Sequence, residues 1–249
     1  MIPTISELND YPSLQKWLND YCEAAGYTCW HNYGPADLAA YLSDPVKILL
    51  VNSESGGYEG CKNVPSDEYL QWIEDRWTTP RNGSVLVTLI RDYISLLIEQ
   101  QAIPPFDRSL TSKIYQNTSR LLNVMRGTIY MNARITSNDT GSMAEDKSNV
   151  LSDAQEFAVY RKKLVEILKP RIIICAGESA KDSIFLADGV FPKSALQEKD
   201  VFILEDFIVV KTRHLSRMGL SGGYEHLNQL AAECAELYLQ KFRISDGSG

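Results

Sequence analysis

Four short runs of strand-forming residues alternate with longer helical segments along this chain, and the alternation limits the folds open to it. The runs are "VKILLV" (46–51), "GTIYMNAR" (127–134), "IIICAG" (172–177) and "FIVVKT" (207–212). Strands that alternate with helices favour a parallel sheet with helices on its faces. We therefore expect an α/β protein, a three-layer α/β/α sandwich with a central, mainly parallel sheet.

Apolar periodicity and capping residues predict the helices between these runs. Gly26 suits the C-cap of the first helix, and Ser66 suits the N-cap of the second. The segment 200–206 and the last strand form a hairpin-like pair, and the polar stretch 135–152 is long enough for a functional or mobile loop. The predicted helices span 13–26, 65–77, 83–101, 153–168, 178–187 and 224–242.

The length of 249 residues fits one large domain, 1–249, in which residues 1–45 form an N-terminal helical extension. Hydrophobic residues make up 44% of the chain, enough to bury a substantial core. No stretch approaches the roughly 18 apolar residues of a membrane span. The first residues, "MIPTISELNDYP", lack the basic region and apolar core of a signal peptide. We therefore expect a soluble cytoplasmic protein with no membrane partner, and we favour a monomer.

The number of cysteines and the net charge limit which metal sites, disulfides and partners this chain can have. The five cysteines are odd in number, and none forms a C-x-x-C pair, so neither a disulfide framework nor a compact metal site is indicated. We expect no metal and no cofactor. The net charge of −7 counts against DNA as a partner, because proteins that grip nucleic acid usually carry a basic face. Basic residues nevertheless cluster at 161–163 and 211–217, so the charge does not exclude DNA.

Three of the predicted strands end at polar residues that can carry chemistry. Glu54 follows the first strand, Asn132 ends the second and His214 follows the last. Parallel strands deliver their carboxyl ends to one edge of a sheet, where α/β proteins usually bind ligands, so we expect these side chains to share a cleft. A carboxylate, an amide and an imidazole together suit a hydrolytic site. Each residue taken singly is also typical of a solvated or capping position, and Asn132 is typical of the start of a turn.

Four segments, taken in order, resemble the motifs of the uracil-DNA glycosylase superfamily. They are "ILLVNSESGG", "IYMNAR", "LKPRIIICAGESA" and "VVKTRHLSRMG", and the likeness in order and spacing covers roughly 46–240. In that superfamily a strand leads into a short loop with an acid or amide, a second strand ends in an asparagine of the base pocket, and a histidine loop follows the last strand. The resemblance implies a uracil-DNA glycosylase-like fold, a monofunctional DNA glycosylase, and DNA as the partner, with the base flipped from duplex or single strand.

The same resemblance implies a role for each matching residue. Glu54 would activate water or stabilise charge, and His214 would face the base carbonyl, so these two are the predicted catalytic residues. The predicted base pocket contains Asn132 as a hydrogen-bonding partner, Tyr58 as a wall and Asn52 from the first loop. Predicted contacts with DNA come from the remaining polar residues, namely Ser53, Ser55, Arg134, Arg213, Ser216 and Arg217. Arg134 is placed equally well in the sequence for an ion pair with Glu54.

Both loops depart from the family pattern. Asn52 replaces the usual glycine and Ser55 the usual proline of the first loop, while Leu215 replaces the proline after the histidine. Gly56 and Gly57 add backbone freedom there, which suggests an enlarged pocket. We therefore expect the substrate to be a modified pyrimidine rather than plain uracil, excised in antiviral defence.

Two other interpretations stay open. A catalytically silent member of the same fold would bind only DNA or protein, and the acidity and the altered loops favour it. A nucleoside or nucleotide hydrolase on a Rossmann-like sheet is the other, although the chain contains no G-x-G-x-x-G or G-x-x-x-x-G-K-[ST] run. A Glu54→Gln substitution that left the biological effect intact would indicate the first, and binding of free nucleotides without affinity for DNA would indicate the second.

Overall fold

The sheet at the centre of the protein has six strands. The computed structural model describes residues 2–27, 30–31, 33–52, 82–136, 147–186, 190–213 and 223–242. Within these ranges the strands are β1 (Gly34–Pro35), β2 (Ile48–Asn52), β3 (Ile129–Asn132), β4 (Ile172–Ala176), β5 (Val201–Leu204) and β6 (Phe207–Thr212). They lie side by side in the order β1-β3-β2-β4-β6-β5.

The four central strands run parallel to one another. β2 pairs with β3 on one side and with β4 on the other, and β4 pairs in turn with β6. β1 and β5 join the two edges in the antiparallel direction. β2 and β4 are buried almost throughout, as is typical of parallel strands covered on both faces. The prediction of an α/β protein with a mainly parallel sheet is confirmed, and β5 with β6 is the predicted hairpin.

Helices pack against this sheet in two contacting groups. One group is formed by α3, α4, α5 and α9, in which α9 and α5 both lie against α3. The other is formed by α1, α6, α7 and α8, in which α7 contacts the other three. None of the described helices combines the length and apolarity needed to cross a bilayer. The helices are α1 (Tyr11–Ala25), α2 (Leu38–Ser43), α3 (Asn82–Ile98), α4 (Arg108–Gln116), α5 (Thr118–Arg126), α6 (Lys147–Glu156), α7 (Ala158–Leu168), α8 (Glu178–Ile184) and α9 (Gly223–Phe242).

Local sequence determines where α1 begins and ends. The side chain of Asp10 accepts a hydrogen bond from the backbone N–H of Ser13 at 2.8 Å, which is the usual N-cap interaction. Pro12 lies in the first turn, where its missing N–H leaves no helical hydrogen bond unmade. At the other end Gly26 adopts the left-handed conformation with a φ of 81°. The predicted helix over 13–26 and its glycine C-cap are confirmed.

Residues 1–45 contribute an edge strand as well as helices. β1 pairs with β3 so that Gly34 lies opposite Tyr130. A Cβ atom on Gly34 would lie 1.7 Å from the hydroxyl oxygen of Tyr11, so the close approach of that ring requires glycine. The predicted N-terminal helical extension therefore also completes one side of the sheet.

The prediction of a loop over 135–152 is wrong for its last part. Helix α6 begins at Lys147, within that polar stretch. In this part of α6 the described side chains are those of Leu151 and Ser152, and both are exposed, so neither adds to an apolar stripe that faces the core. Helices are recognised from sequence by such a stripe, and composition alone therefore indicated a loop.

The helix predicted over 153–168 is two helices, α6 and α7, which meet at Phe157. Arg161, which lies in α7, donates from Nη1 to the carbonyl oxygen of Ala154 at 2.9 Å. The last carbonyls of a helix have no partner within it, and this guanidinium supplies one at the end of α6. β3 is also shorter than the strand predicted over 127–134.

Two short helices, α4 and α5, were not predicted, and one predicted helix lies outside the described residues. α2 spans six residues and lies within the predicted N-terminal helical extension, while α4 and α5 span nine residues each. Their starts are capped by the side chains of Asp37, Asp107 and Asn117, respectively. The helix predicted over 65–77, with Ser66 as its cap, falls outside the described ranges.

Candidate functional site

The carboxyl ends of the four parallel strands lie level at one edge of the sheet. Their last residues form a row in register: Asn132, Asn52, Ala176 and Thr212. With a strand spacing of about 4.8 Å, this row extends over roughly 15 Å. Gly177 continues the row, because its N–H donates to the carbonyl oxygen of Thr212 at 2.8 Å and its φ of 106° favours glycine. This is the edge at which the sequence predicts a site.

The predicted catalytic residues follow this row in the sequence. Glu54 comes two residues after Asn52, and His214 comes two residues after Thr212. Both lie outside the described residues, as do the predicted base- and DNA-binding residues Ser53, Ser55, Tyr58, Ser216 and Arg217. The strands that precede them, β2 and β6, are parallel and are separated by β4 alone. The chain therefore leaves the same edge of the sheet toward both predicted catalytic residues.

Asn132 is buried at the end of β3, and both ends of its amide group are hydrogen-bonded. The residue is only 6% exposed. Its amide nitrogen donates to the hydroxyl oxygen of Tyr33 at 3.0 Å, and its amide oxygen accepts from the hydroxyl of Tyr130 at 3.2 Å. Because an amide has two N–H donors and two acceptor lone pairs, each end has capacity for one hydrogen bond beyond these two.

Tyr33 is held tightly just before β1. Its hydroxyl donates to the backbone carbonyl oxygen of Arg134 at 3.1 Å. Its own carbonyl oxygen accepts from Nε2 of Gln15 at 2.9 Å and from the hydroxyls of Tyr11 and Tyr160, each at 3.3 Å. These donors come from α1 and α7, so two helices converge on one carbonyl group. The position of the Tyr33 ring beside Asn132 is fixed by this convergence.

The sequence interpretation did not include Tyr33 or Tyr130 in the site. Tyr130 precedes Asn132 by two residues in the same strand, and side chains two residues apart in a strand lie on the same face of the sheet. The sequence therefore contained enough information to place Tyr130 beside Asn132. Tyr33 is separated from Asn132 by 99 positions. No spacing rule connects the two, and the pairing of β1 with β3 brings them together.

A buried ion pair holds the segment that leaves β3. The carboxylate of Asp153 accepts from the backbone N–H of Ile135 at 2.7 Å and from that of Thr136 at 2.9 Å. Arg161 donates to this carboxylate at 3.3 Å and also to the carbonyl oxygen of Ala133. Burial lowers the pKa of Arg161, and the negative charge of Asp153 opposes that effect. Charged groups inside the core therefore fix the path of the chain beyond Asn132.

The other described candidates differ in exposure. Asn52 is half-buried in the middle of the row of strand ends. Arg134 is also half-buried, and its Nε donates to Oγ1 of Thr136 at 3.2 Å. Arg213 is exposed directly after β6. An exposed guanidinium at this edge suits contact with a phosphate group.

The described cysteines are unsuited to nucleophilic catalysis. Cys22, Cys175 and Cys234 are buried free thiols. Burial raises the pKa of Cys22 and of Cys175 to about 12 and also raises that of Cys234. The thiolate is the reactive and metal-binding form, and it is therefore scarce at neutral pH. In the part of the chain that the structure describes, no three His, Cys, Asp or Glu residues are grouped to hold a metal ion.

No protein-family model matches the sequence, and no curated protein matches it significantly. Inferences about function therefore depend on the row of strand ends and on the contacts made by Asn132.

Proposed function

We propose that this protein is a monofunctional DNA glycosylase that hydrolyses the N-glycosidic bond of a flipped, modified pyrimidine and leaves an abasic site. The observation that carries the proposal is the register of the strand ends. Asn132 and Asn52 lie side by side, and β6 ends level with them at the same edge. Glu54 and His214 follow two of these strand ends in the sequence. The acid, the amide and the imidazole of the reaction thus come from segments that leave one edge.

The proposal includes the three-layer sandwich of the uracil-DNA glycosylase superfamily. Two groups of helices, one around α3 and the other around α7, support a helical layer on each face of the sheet. The strands β2, β3, β4 and β6 are those on which the four resembling motifs lie. Their order along the chain and their parallel direction agree with this architecture.

The two proposed catalytic residues would stabilise opposite charges that develop on the substrate during the reaction. Cleavage of an N-glycosidic bond develops positive charge on the sugar and negative charge on the departing base. The carboxylate of Glu54, below the sugar, would stabilise the positive charge and orient the attacking water. The imidazole of His214, near a base carbonyl, would stabilise the negative charge. The pair requires no metal ion and no cofactor for this reaction.

The base must leave the DNA stack before these groups can act on it. A pocket beside a DNA-binding rim is therefore needed. In this proposal the remaining donor and acceptor of the Asn132 amide read the edge of the flipped base, and Arg134 and Arg213 lie toward the rim. Arg213 is the best described candidate for a phosphate contact, since it is exposed at the end of β6.

The test is the formation of alkali-labile abasic sites by the purified protein. The substrates are end-labelled oligonucleotides that carry uracil, mismatched thymine, 5-hydroxymethyluracil, 5-hydroxymethylcytosine or glucosylated hydroxymethylcytosine. Glu54→Gln removes the proposed catalytic charge, and Glu236→Gln removes an exposed carboxylate on α9 as the matched control. We expect cleavage at a modified pyrimidine that falls about 100-fold or more in Glu54→Gln and is unchanged in Glu236→Gln.

The same assay separates the alternatives. Strong cleavage at uracil with weak cleavage at every modified base would contradict the proposed substrate. DNA binding without cleavage of any substrate would establish the silent binding protein, which the net charge of −7 and the internally bonded Asn132 amide favour. Hydrolysis of free nucleosides or nucleotides without affinity for DNA would indicate the small-molecule hydrolase.

A further inference from the structure

The hydroxyl of Tyr33 can only accept a hydrogen bond from Asn132. A phenol has one proton, and that of Tyr33 is donated to the carbonyl oxygen of Arg134 at 3.1 Å. The Asn132 amide approaches the same hydroxyl oxygen at 3.0 Å. Because the proton is already committed, the group that faces this oxygen must be a donor. The amide nitrogen, rather than the amide oxygen, therefore points toward Tyr33.

The opposite orientation of the amide would lose a hydrogen bond. If the amide oxygen faced Tyr33, either two acceptors would oppose each other or the phenol would turn its proton away from the carbonyl of Arg134. At the other end the hydroxyl of Tyr130 donates to the amide oxygen at 3.2 Å, which agrees with the same orientation of the amide. Tyr33 therefore determines that the nitrogen of the Asn132 amide, and not its oxygen, faces the Tyr33 hydroxyl.

Tyr33 is placed rigidly enough to impose this choice. It is 2% exposed, and its backbone carbonyl receives Gln15 from α1 and Tyr160 from α7. The backbone of Arg134, to which it donates, belongs to the segment held by the pair of Asp153 and Arg161. Both sides of the hydrogen bond are therefore anchored in the core.

We propose that Tyr33 is a positioning residue that fixes the polarity of the Asn132 amide and so makes the site discriminate between keto and amino pyrimidines. This inference rests on the proposed function. A keto pyrimidine presents a carbonyl oxygen beside a ring N–H, whereas an amino pyrimidine presents an amino group beside a bare ring nitrogen. The order of donor and acceptor along the two edges is opposite. An amide of fixed polarity can match one order, while an amide that is free to turn can match both.

The test compares two bases that differ only at this edge. Oligonucleotides with 5-hydroxymethyluracil or 5-hydroxymethylcytosine are cleaved by the wild-type protein, by Tyr33→Phe and by Tyr11→Phe. Tyr11 is the matched control, because its hydroxyl does not touch Asn132 and because, without it, the carbonyl of Tyr33 still accepts from Gln15 of α1 and Tyr160 of α7. We expect the wild type and Tyr11→Phe to prefer one base at least tenfold in kcat/KM. In Tyr33→Phe we expect this ratio to fall by about tenfold, equivalent to roughly 1.4 kcal/mol.

A second measurement needs no substrate. The side-chain N–H signals of Asn132, identified by their loss in Asn132→Asp, are followed by NMR during exchange with deuterated water. We expect protected amide protons in the wild type and in Tyr11→Phe, and exchange at least tenfold faster in Tyr33→Phe.

The outcomes separate this inference from the proposed function. Equal cleavage of the two bases by the wild type, or a preference that survives in Tyr33→Phe, overturns the role of Tyr33 while the glycosylase activity stands. If neither base is cleaved, the exchange measurement decides alone. Unchanged exchange in Tyr33→Phe then overturns the inference, and faster exchange supports the fixed polarity.

Discussion

Arg161 and Asp153 form an ion pair that is almost completely buried beside the chain that leaves β3. The side chain of Arg161 is 0% exposed and that of Asp153 is 5% exposed. The pair also bonds the backbone of Ala133, Ile135 and Thr136, so its charges are shared with peptide groups on both sides. This arrangement ties α6 and α7 to the segment that follows Asn132.

Removal of one member of this pair is expected to destabilise the protein strongly. Arg161→Met keeps much of the side-chain length but leaves the carboxylate of Asp153 buried without its partner, at a cost of about 3–5 kcal/mol. The control is Lys16→Met, which breaks the exposed pair of Lys16 and Asp20 and should cost less than about 1 kcal/mol. Urea unfolding followed by circular dichroism measures both values. Equal effects of the two substitutions would show that the buried pair has no special role.

Substitution of Gly34 is expected to disturb the packing of α1 on the edge of the sheet. In Gly34→Ala the new Cβ would lie 1.7 Å from the hydroxyl of Tyr11, so the ring or the backbone must move. We expect a loss of about 1–3 kcal/mol in the free energy of unfolding. Gly127→Ala is the matched control, because its nearest neighbours would lie at 3.5 Å. A thermal scan in which both variants melt together would contradict this reading of the contact.

Acid is expected to lower the free energy of unfolding through the protonation of His31. Burial lowers the pKa of this histidine from 6.5 to about 4. Between these values the unfolded chain binds a proton that the folded protein does not, so stability falls as the pH drops from 6.5 toward 4 and is unaffected by this group at higher pH. From pH 7 to pH 5 the loss from His31 should be about 2 kcal/mol.

The measurement is the free energy of unfolding in urea at both pH values, for the wild type and for His31→Gln. The substituted protein lacks the titrating ring. The loss in its free energy of unfolding between pH 7 and pH 5 should therefore be smaller than that of the wild type by about 2 kcal/mol. A wild-type protein and a His31→Gln protein with the same pH dependence would disprove this assignment.

The proposed function predicts that loss of Arg213 weakens binding to DNA without affecting the fold. This residue is exposed at the carboxyl edge of the sheet, and Arg213→Gln removes one positive charge there. We expect a weaker Kd and a slope of log Kd against log salt that is smaller by about 1. Lys169→Gln is the control, since Lys169 is exposed just before β4, at the opposite edge. Fluorescence anisotropy with a labelled duplex at several salt concentrations compares the two, and an equal loss in both would place the DNA elsewhere.

The core strands and long helices were predictable because each carries its own signal. β2 and β4 are continuous apolar runs, and α3 and α9 are long enough to show a helical period. The break between α6 and α7 was not predictable, because Arg161 reaches a carbonyl of the preceding helix from seven positions further along the chain. A spacing rule within one helix contains no information about such a contact.

The residues of the candidate site were likewise predictable from the sequence only in part. Asn132 could be selected from the sequence because it ends a strand, and Tyr130 could have been selected from strand alternation. Tyr33 and Gln15 could not, because each reaches the site only through tertiary packing of the N-terminal segment against β3 and α7.

By itself the sequence determined the class of fold, the direction of the central strands and the polar residues at their ends, since these depend on short-range patterns of apolar and turn residues. The tertiary structure alone decided the order of the strands, the level row of Asn132, Asn52, Ala176 and Thr212, and the environment of the Asn132 amide. The reason is physical. Register and burial arise from contacts between segments far apart in the chain, and the free energy of those contacts is set by how the whole core packs.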